Sequence, residues 1–285
     1  MIENRKVLIT VKTYPTLSTK YAELVCTAGI LDDGKWVRIF PMPFRKLEFE
    51  QKYKKYQWIE LQIQKSTSDY RPESFEVVDW PKIRLLGDVL NTKDFWRSRR
   101  NIVFAKNKVY QDLTELIELA KQNKLSLAIF KPSKITDFIV ESTEREWDEK
   151  KLKTLDNRSK QLSLIQTPEE IKKELQIVKK LPYKFSYSFE DIKGRKSTLM
   201  IEDWEIGALY WNCLRDSNND EKIAIQKVRQ KYWDEFLTKD VHFFLGTTLA
   251  NHLRAPNPFI IIGVFPPPPE KQKPLFTPFE IPEGE

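Results

Sequence analysis

Trp36, Arg38 and Phe40 alternate along one short run, Lys35-Trp36-Val37-Arg38-Ile39-Phe40. In an extended strand this spacing sends two aromatic rings and a guanidinium to one side, and Val37 and Ile39 to the other. Flat π-systems stack on nucleobases, and a guanidinium both stacks and holds phosphate. Phe44 and Arg45 follow at once, and Lys46, Lys52, Lys54 and Lys55 then surround Tyr53, Tyr56 and Trp58. A second basic cluster is Trp96-Arg97-Ser98-Arg99-Arg100, whose guanidiniums suit bidentate phosphate contacts. The expectation is a nucleic-acid surface on which Trp36, Arg38, Phe40, Arg45 and Tyr56 make contact. Lys52, Lys54, Lys55, Arg97, Arg99 and Arg100 would supply the field for the polyanion. The plainer alternative stays open: the aromatics as core, the lysines as solvated surface, and the arginines as an exposed helix end favoured by its dipole. The loop Asp69-Tyr70-Arg71-Pro72-Glu73-Ser74 reads either as a ligand contact or as a turn held by an internal Asp–Arg pair.

A different chemistry is offered by Ile201-Glu202-Asp203-Trp204-Glu205. Paired carboxylates can neutralise a divalent cation that activates water, so Asp203 and Glu205 are candidates for a metal-dependent nuclease using Mg2+ or Mn2+. A nuclease of the restriction-enzyme type would place a lysine just after the second acid, whereas Glu205 is followed by Ile206-Gly207. Acids at the start of a helix are equally explained by its positive end. Outside that alternative no cofactor and no metal is expected. Cys213 with His242 or His252 has no spacing that supports a nucleophile–base pair, and no Cys-x-x-Cys or His-x-x-x-His pair suggests zinc. Eight glycines in 285 residues, without a Gly-x-Gly-x-x-Gly, argue against a phosphate-cradling loop.

The elements that must position these residues are β-rich at first. Short runs at 6–12, 21–31, 35–40, 57–65 and 74–78 read as five strands, with a turn at Asp32-Asp33-Gly34-Lys35. Five strands in so short a stretch suggest a small barrel. In the fourth, Trp58 and Glu60 face away from Ile59, Leu61 and Ile63. Helices are expected at 94–100 and 109–120, then strands at 125–130 and 135–140 that complete or extend the barrel. A capped helix over 167–180 begins at Thr167-Pro168-Glu169-Glu170. Strands at 183–189 and 198–201, helices at 203–215 and 220–237, and strands at 241–246 and 259–265 follow. The expected fold is α+β: a barrel-like domain with added helices over 1–142, a charged helix or linker over 143–166, an α+β domain over 167–269, and a Pro-rich tail over 270–285.

The segment Val25-Cys26-Thr27-Ala28-Gly29-Ile30, a turn, and then Lys35-Trp36-Val37-Arg38-Ile39-Phe40-Pro41 resembles the start of dual OB-fold domains found in bacterial conflict and defence systems. The resemblance covers residues 6 to 45. It implies an OB-like nucleic-acid-binding barrel, a bacterial source and a place in a defence system, without naming a substrate.

Composition is consistent with such a protein. Hydrophobic residues are 40% and charged residues 31%, which is a globular composition with a charged surface. The net charge of +7 favours a polyanionic partner such as DNA or RNA. The amphipathic stretch 220–237 and the tail are the places for a protein partner. Two cysteines among 285 residues suit a reducing cytoplasm, and no run approaches the ~20 apolar residues of a membrane span.

Overall fold

The computed structural model describes residues 1–18, 22–42, 47, 49–150 and 179–269. Arg45, residues 167–178 of the helix expected over 167–180, and the tail from 270 lie outside them.

The first part is a closed barrel. Its five strands are β1 (Ile2–Lys12), β3 (Ala22–Leu31), β4 (Trp36–Met42), β5 (Trp58–Lys65) and β6 (Ser74–Val77). Two short strands, β2 (Thr16–Ser18) and β7 (Arg84–Leu86), add to β3 and β5. Around the barrel the order is β1-β3-β4-β6-β5, and β5 returns to β1 through Val7 opposite Ile59. All neighbours are antiparallel except β4 and β6, where Arg38 and Ile39 pair in parallel with Ser74 and Phe75. Alternation does the sorting: Ile59, Leu61 and Ile63 are buried inside with Val7, Ile9, Val37 and Ile39, while Trp58 and Glu60 look outward. The turn into β4 depends on Gly34, whose φ of +85 is the left-handed conformation that a β-carbon disfavours.

The rest of the described chain is mixed. Helix α1 (Arg97–Val103), strand β8 (Val109–Tyr110) and helix α2 (Leu113–Lys121) lead to β9 (Leu127–Phe130) and β10 (Lys134–Ser142). Strands β11 (Tyr183–Glu190) and β12 (Lys196–Met200) follow, then helices α3 (Trp204–Asp216) and α4 (Glu221–Arg229). Strands β13 (His242–Thr247) and β14 (Phe259–Phe265) end it. One sheet runs β14-β13-β9-β8 and another β10-β11-β12. The fold is therefore α+β, with four α-helices among the described residues.

Three expectations need correction. Strands β9 and β10 do not extend the barrel; β9 pairs with β13 and β10 with β11. The barrel is already closed by β5 on β1, so it offers those strands no open edge. The helix expected from 109 starts at Leu113, because Asp112 is its cap and accepts from the amides of Thr114 and Glu115. The helix expected from 94 starts at Arg97, because Phe95 and Trp96 have φ of 56 and 66 and cannot be helical.

An apolar cluster and a polar network hold the barrel to the second part. The cluster joins Val11, Ala28 and Tyr56 of the barrel side to Leu127, Ile129, Phe244 and Phe265 of the second sheet. Trp36 packs on it, edge-on to Phe244 with ring centres 5.4 Å apart. Beside it lies a buried polar network. Arg38 is 1% exposed and donates to Ser126 Oγ at 2.6 Å, Ser126 O at 3.1 Å and Thr247 O at 3.4 Å. Arg71 is held by Asp69, its Nε at 2.9 Å from Oδ1, and also reaches Thr247 O. The 69–74 loop is thus the turn with an internal Asp–Arg pair. The strand face read as an open nucleic-acid surface is covered by a second sheet.

A candidate ligand cleft between barrel and helices

The expected surface residues separate. Lys52, Lys54 and Arg97 are exposed, Phe40 is half-buried, and Arg38 is interior. Arg100 is half-buried and donates to Pro268 O at 2.5 Å and to Asp240 at 3.4 Å. Trp36 borders a shallow groove of about 600 Å³ with Lys35, Lys106, Lys108 and Lys124, away from the other candidates.

Tyr56, Arg99 and Glu205 do come together. They line a cleft of about 570 Å³ between the barrel side and the helices. That size lies inside the ~300–1,000 Å³ usual for small-ligand clefts. Tyr56, Phe95 and Trp96 form one side, and Tyr232, Phe236 and Leu209 another. Lys93, Lys231 and Lys239 join Arg99 there, against Glu205 and Glu235. Lys231 and Glu235 pair with each other at 2.7 Å, so the remaining charge is positive.

The backbone around this cleft is unusual. Among the described residues six besides glycine have positive φ. Three are asparagines, the type that tolerates it best; the other three are Tyr56 (φ 62), Phe95 (φ 56) and Trp96 (φ 66). All three aromatics line the cleft. A bulky left-handed residue costs on the order of 1–3 kcal/mol and persists only where its surroundings hold it. Tyr56 is held through its amide on Ile9 O at 2.5 Å and its carbonyl, which accepts from Leu90 N at 2.7 Å. Arg99 lies 3.9 Å over the Tyr56 ring and 4.9 Å from the Trp96 ring centre, and its Nε donates to Leu90 O at 2.8 Å. Opposite, α4 passes into a π-helical turn over Gln230–Glu235, which carries Lys231, Tyr232 and Glu235 to the cleft wall. Such turns occur often at functional sites. The helix expected over 220–237 continues through this turn and ends in a 3-10 turn at Phe236–Thr238.

Behind the wall is an ion triad. Lys55, at the barrel's end, donates to Asp203 Oδ2 at 3.0 Å and to Glu205 Oε2 at 2.8 Å. Asp203 is wholly buried and caps α3, accepting from Glu205 N at 3.2 Å; it also accepts from Val264 N at 3.4 Å. Burial raises the Asp203 carboxyl in spite of Lys55. Burial acts on Glu205 in the same sense, but Lys55 outweighs it and holds this half-exposed carboxylate below the ordinary range. Burial would lower the Lys55 ammonium, but Asp203 and Glu205 raise it. The lysine absent from the sequence after Glu205 arrives from another element and supplies the counter-charge to both acids. Among the described residues no group of three or more His, Cys, Asp or Glu is placed to hold a metal ion.

Tyr56 and Arg99 belong to the expected nucleic-acid residues and Glu205 to the nuclease pair; Phe95, Trp96, Lys93, Lys231, Tyr232, Phe236 and Lys239 belong to neither set. Of these only Trp96 sits in a motif, the basic cluster 96–100. Tyr232 and Phe236 share a stripe of the expected helix over 220–237, but that segment lies more than a hundred residues from Lys93 and Phe95, and no local spacing links the two.

A closed β-barrel backed by an α+β layer, with an aromatic and cationic cleft at the join, describes the class of protein. The chain belongs to the family described as Domain of unknown function (DUF8757), whose model matches residues 109–280. Residues 3–105 match a second, Domain of unknown function (DUF8758). No curated protein matches the chain. Among the described residues no helix is long and apolar enough to cross a membrane.

Proposed function

We propose that this protein binds nucleic acid and takes an unpaired base into the cleft between barrel and helices. The observation that carries the reading is the strained aromatic trio Tyr56, Phe95 and Trp96, gathered around Arg99 at one cavity. Strain of this kind is retained at sites where geometry matters more than stability. Aromatic rings and a stacked guanidinium suit a base, and Lys93 and Lys239 suit its phosphates. The barrel's strand order supports an OB-like reading: numbered along the chain, its five strands run first, second, third, fifth, fourth, and close on the first. Here the usual strand face is covered, and the cleft replaces it. A setting in the cytoplasm of a bacterium, in a defence system, accords with the resemblance at 6–45 and with two unpaired cysteines, Cys26 and Cys213.

The metal-dependent nuclease has less support, because Asp203 is sealed from solvent and Lys55 occupies the place a cation would take. The test of nucleic-acid binding is fluorescence anisotropy with a short labelled single strand across a salt series. Affinity should fall steeply with salt. Trp96→Ala and Arg99→Ala should each weaken binding about 10-fold, the scale of one lost stacking contact. Binding that is flat in salt, or variants equal to the parent, would overturn the proposal. Cleavage that requires Mg2+ or Mn2+ and is lost in Asp203→Ala would restore the nuclease.

A further inference from the structure

Guanine alone among the common bases presents two adjacent N–H donors on one edge, N1–H and the N2 amino group. A carboxylate presents two adjacent acceptors. We infer that the cleft receives a guanine and that Glu205 reads this edge. The inference deepens the nucleic-acid reading and rests on it.

Glu205 is the carboxylate of the cleft that is anchored from behind. Lys55 binds its Oε2 at 2.8 Å, and Lys55 is itself clamped by Asp203. Glu235 is different: each of its oxygens already carries one bond, from Lys231 at 2.7 Å, and both partners of that pair are half-exposed. Each carboxylate oxygen has two lone-pair sites, so after the Lys55 bond Glu205 can still accept on both oxygens. Lys55 also keeps the group ionised, and an ionised carboxylate only accepts.

That requirement separates the bases. Adenine and cytosine place a ring-nitrogen acceptor beside their amino donor, and that acceptor would face a carboxylate oxygen. Thymine and uracil offer one N–H between two carbonyl oxygens, which the carboxylate repels. A site built to pair with specific donors rejects ligands that leave it unpaired. The Arg99 guanidinium, stacked on Tyr56, offers a flat surface for a bicyclic ring. The cleft's 570 Å³ has room for a purine with its sugar and phosphate.

The experiment uses the full chain and short thymidine single strands carrying one central guanine, inosine, adenine or cytosine, or none. Inosine keeps N1–H and lacks the amino group. The guanine strand should bind tightest, and inosine should lose about 10-fold, the scale of one base-edge contact. Glu205→Gln, which offers one acceptor and one donor, should abolish the difference between guanine and inosine. Its fold is checked by circular dichroism, and the comparison of strands on the unaltered protein needs no variant. Equal, salt-sensitive affinity for all strands overturns the guanine assignment and leaves nucleic-acid binding standing. Binding of no strand at low salt removes both. A Glu205→Gln protein that still prefers guanine overturns the role of Glu205.

Discussion

Arg38 shows how one side chain changes meaning between strand and fold. On its strand it stands between Trp36 and Phe40 like a phosphate contact. In the molecule it ties Ser126 and Thr247 of the second sheet to the barrel. Arg38→Ala should therefore cost about 2–4 kcal/mol in urea unfolding, since it strands buried acceptors, yet leave the salt slope of nucleic-acid binding unchanged. A reduced slope with full stability would mean that Arg38 holds phosphate after all. His252 lies in the same network. It is fully buried, its Nε2 meets Asn123 Oδ1 at 2.8 Å, and its Nδ1 meets Thr247 Oγ1 at 2.9 Å. The Asn123 amide nitrogen donates to Tyr70 O, so Asn123 accepts at Oδ1 and the ring is neutral with its proton on Nε2. Burial, then Arg71 and Arg38, lower its pKa to about 4. The folded state takes up this proton later than the unfolded chain, whose histidine titrates near 6.5. Stability from this group is complete above about pH 6.5 and is lost as pH falls toward 4, on the order of 3 kcal/mol in all. Urea midpoints at pH 7 and near pH 4.5 check this. His252→Gln should flatten that part of the pH profile, and an unchanged slope would place the effect elsewhere.

At the scale of elements, α3 is docked on the barrel by a close approach and an ion triad. A β-carbon on Gly207 would come within 2.2 Å of the Tyr14 ring. That ring has little room to yield, because Tyr14 Oη donates to Lys179 O at 2.9 Å and accepts from Trp211 Nε1 at 2.8 Å. Gly207→Ala gains up to ~1 kcal/mol of helix propensity but incurs about 1–3 kcal/mol of overpacking. The expected outcome is a lower melting temperature, and a rise would show that the ring moves freely. At the other end of the contact, Lys55→Met leaves Asp203 buried without its cation and should cost about 3–5 kcal/mol. The double variant Lys55→Met with Asp203→Asn should recover much of that loss. A double variant as unstable as the single would mean that the triad matters through shape and not charge.

The whole molecule joins two family matches, 3–105 and 109–280, through one buried interface. Val11, Ala28, Trp36 and Tyr56 on the barrel side are covered by Phe244, Ile262 and Phe265 of the second sheet and its neighbours. Unfolding followed by tryptophan fluorescence and by circular dichroism should then give one coincident transition. Two separated transitions would show that the interface contributes little. The cleft belongs to this scale as well, since Tyr56, Trp96 and Arg99 come from one matched region and Glu205 and Tyr232 from the other.

Local pattern was enough to read the α+β class, the five barrel strands, and the helices beginning near Asp203 and Asp220. Period-two alternation and helix caps act over a few residues, and those residues are adjacent in the chain. The faces were a different matter. Whether Trp36 and Arg38 meet solvent or a second sheet depends on β9 and β13, which lie about 90 to 200 positions away and leave no mark on the strand itself. Glu205 and Lys55 could each be noticed for their chemistry, but they are 150 residues apart, and only the docking of α3 against the barrel brings them to 2.8 Å. The left-handed turns at Tyr56, Phe95 and Trp96 were invisible for the same reason: aromatic residues disfavour that conformation, and the surrounding tertiary contacts, not their own preferences, impose it.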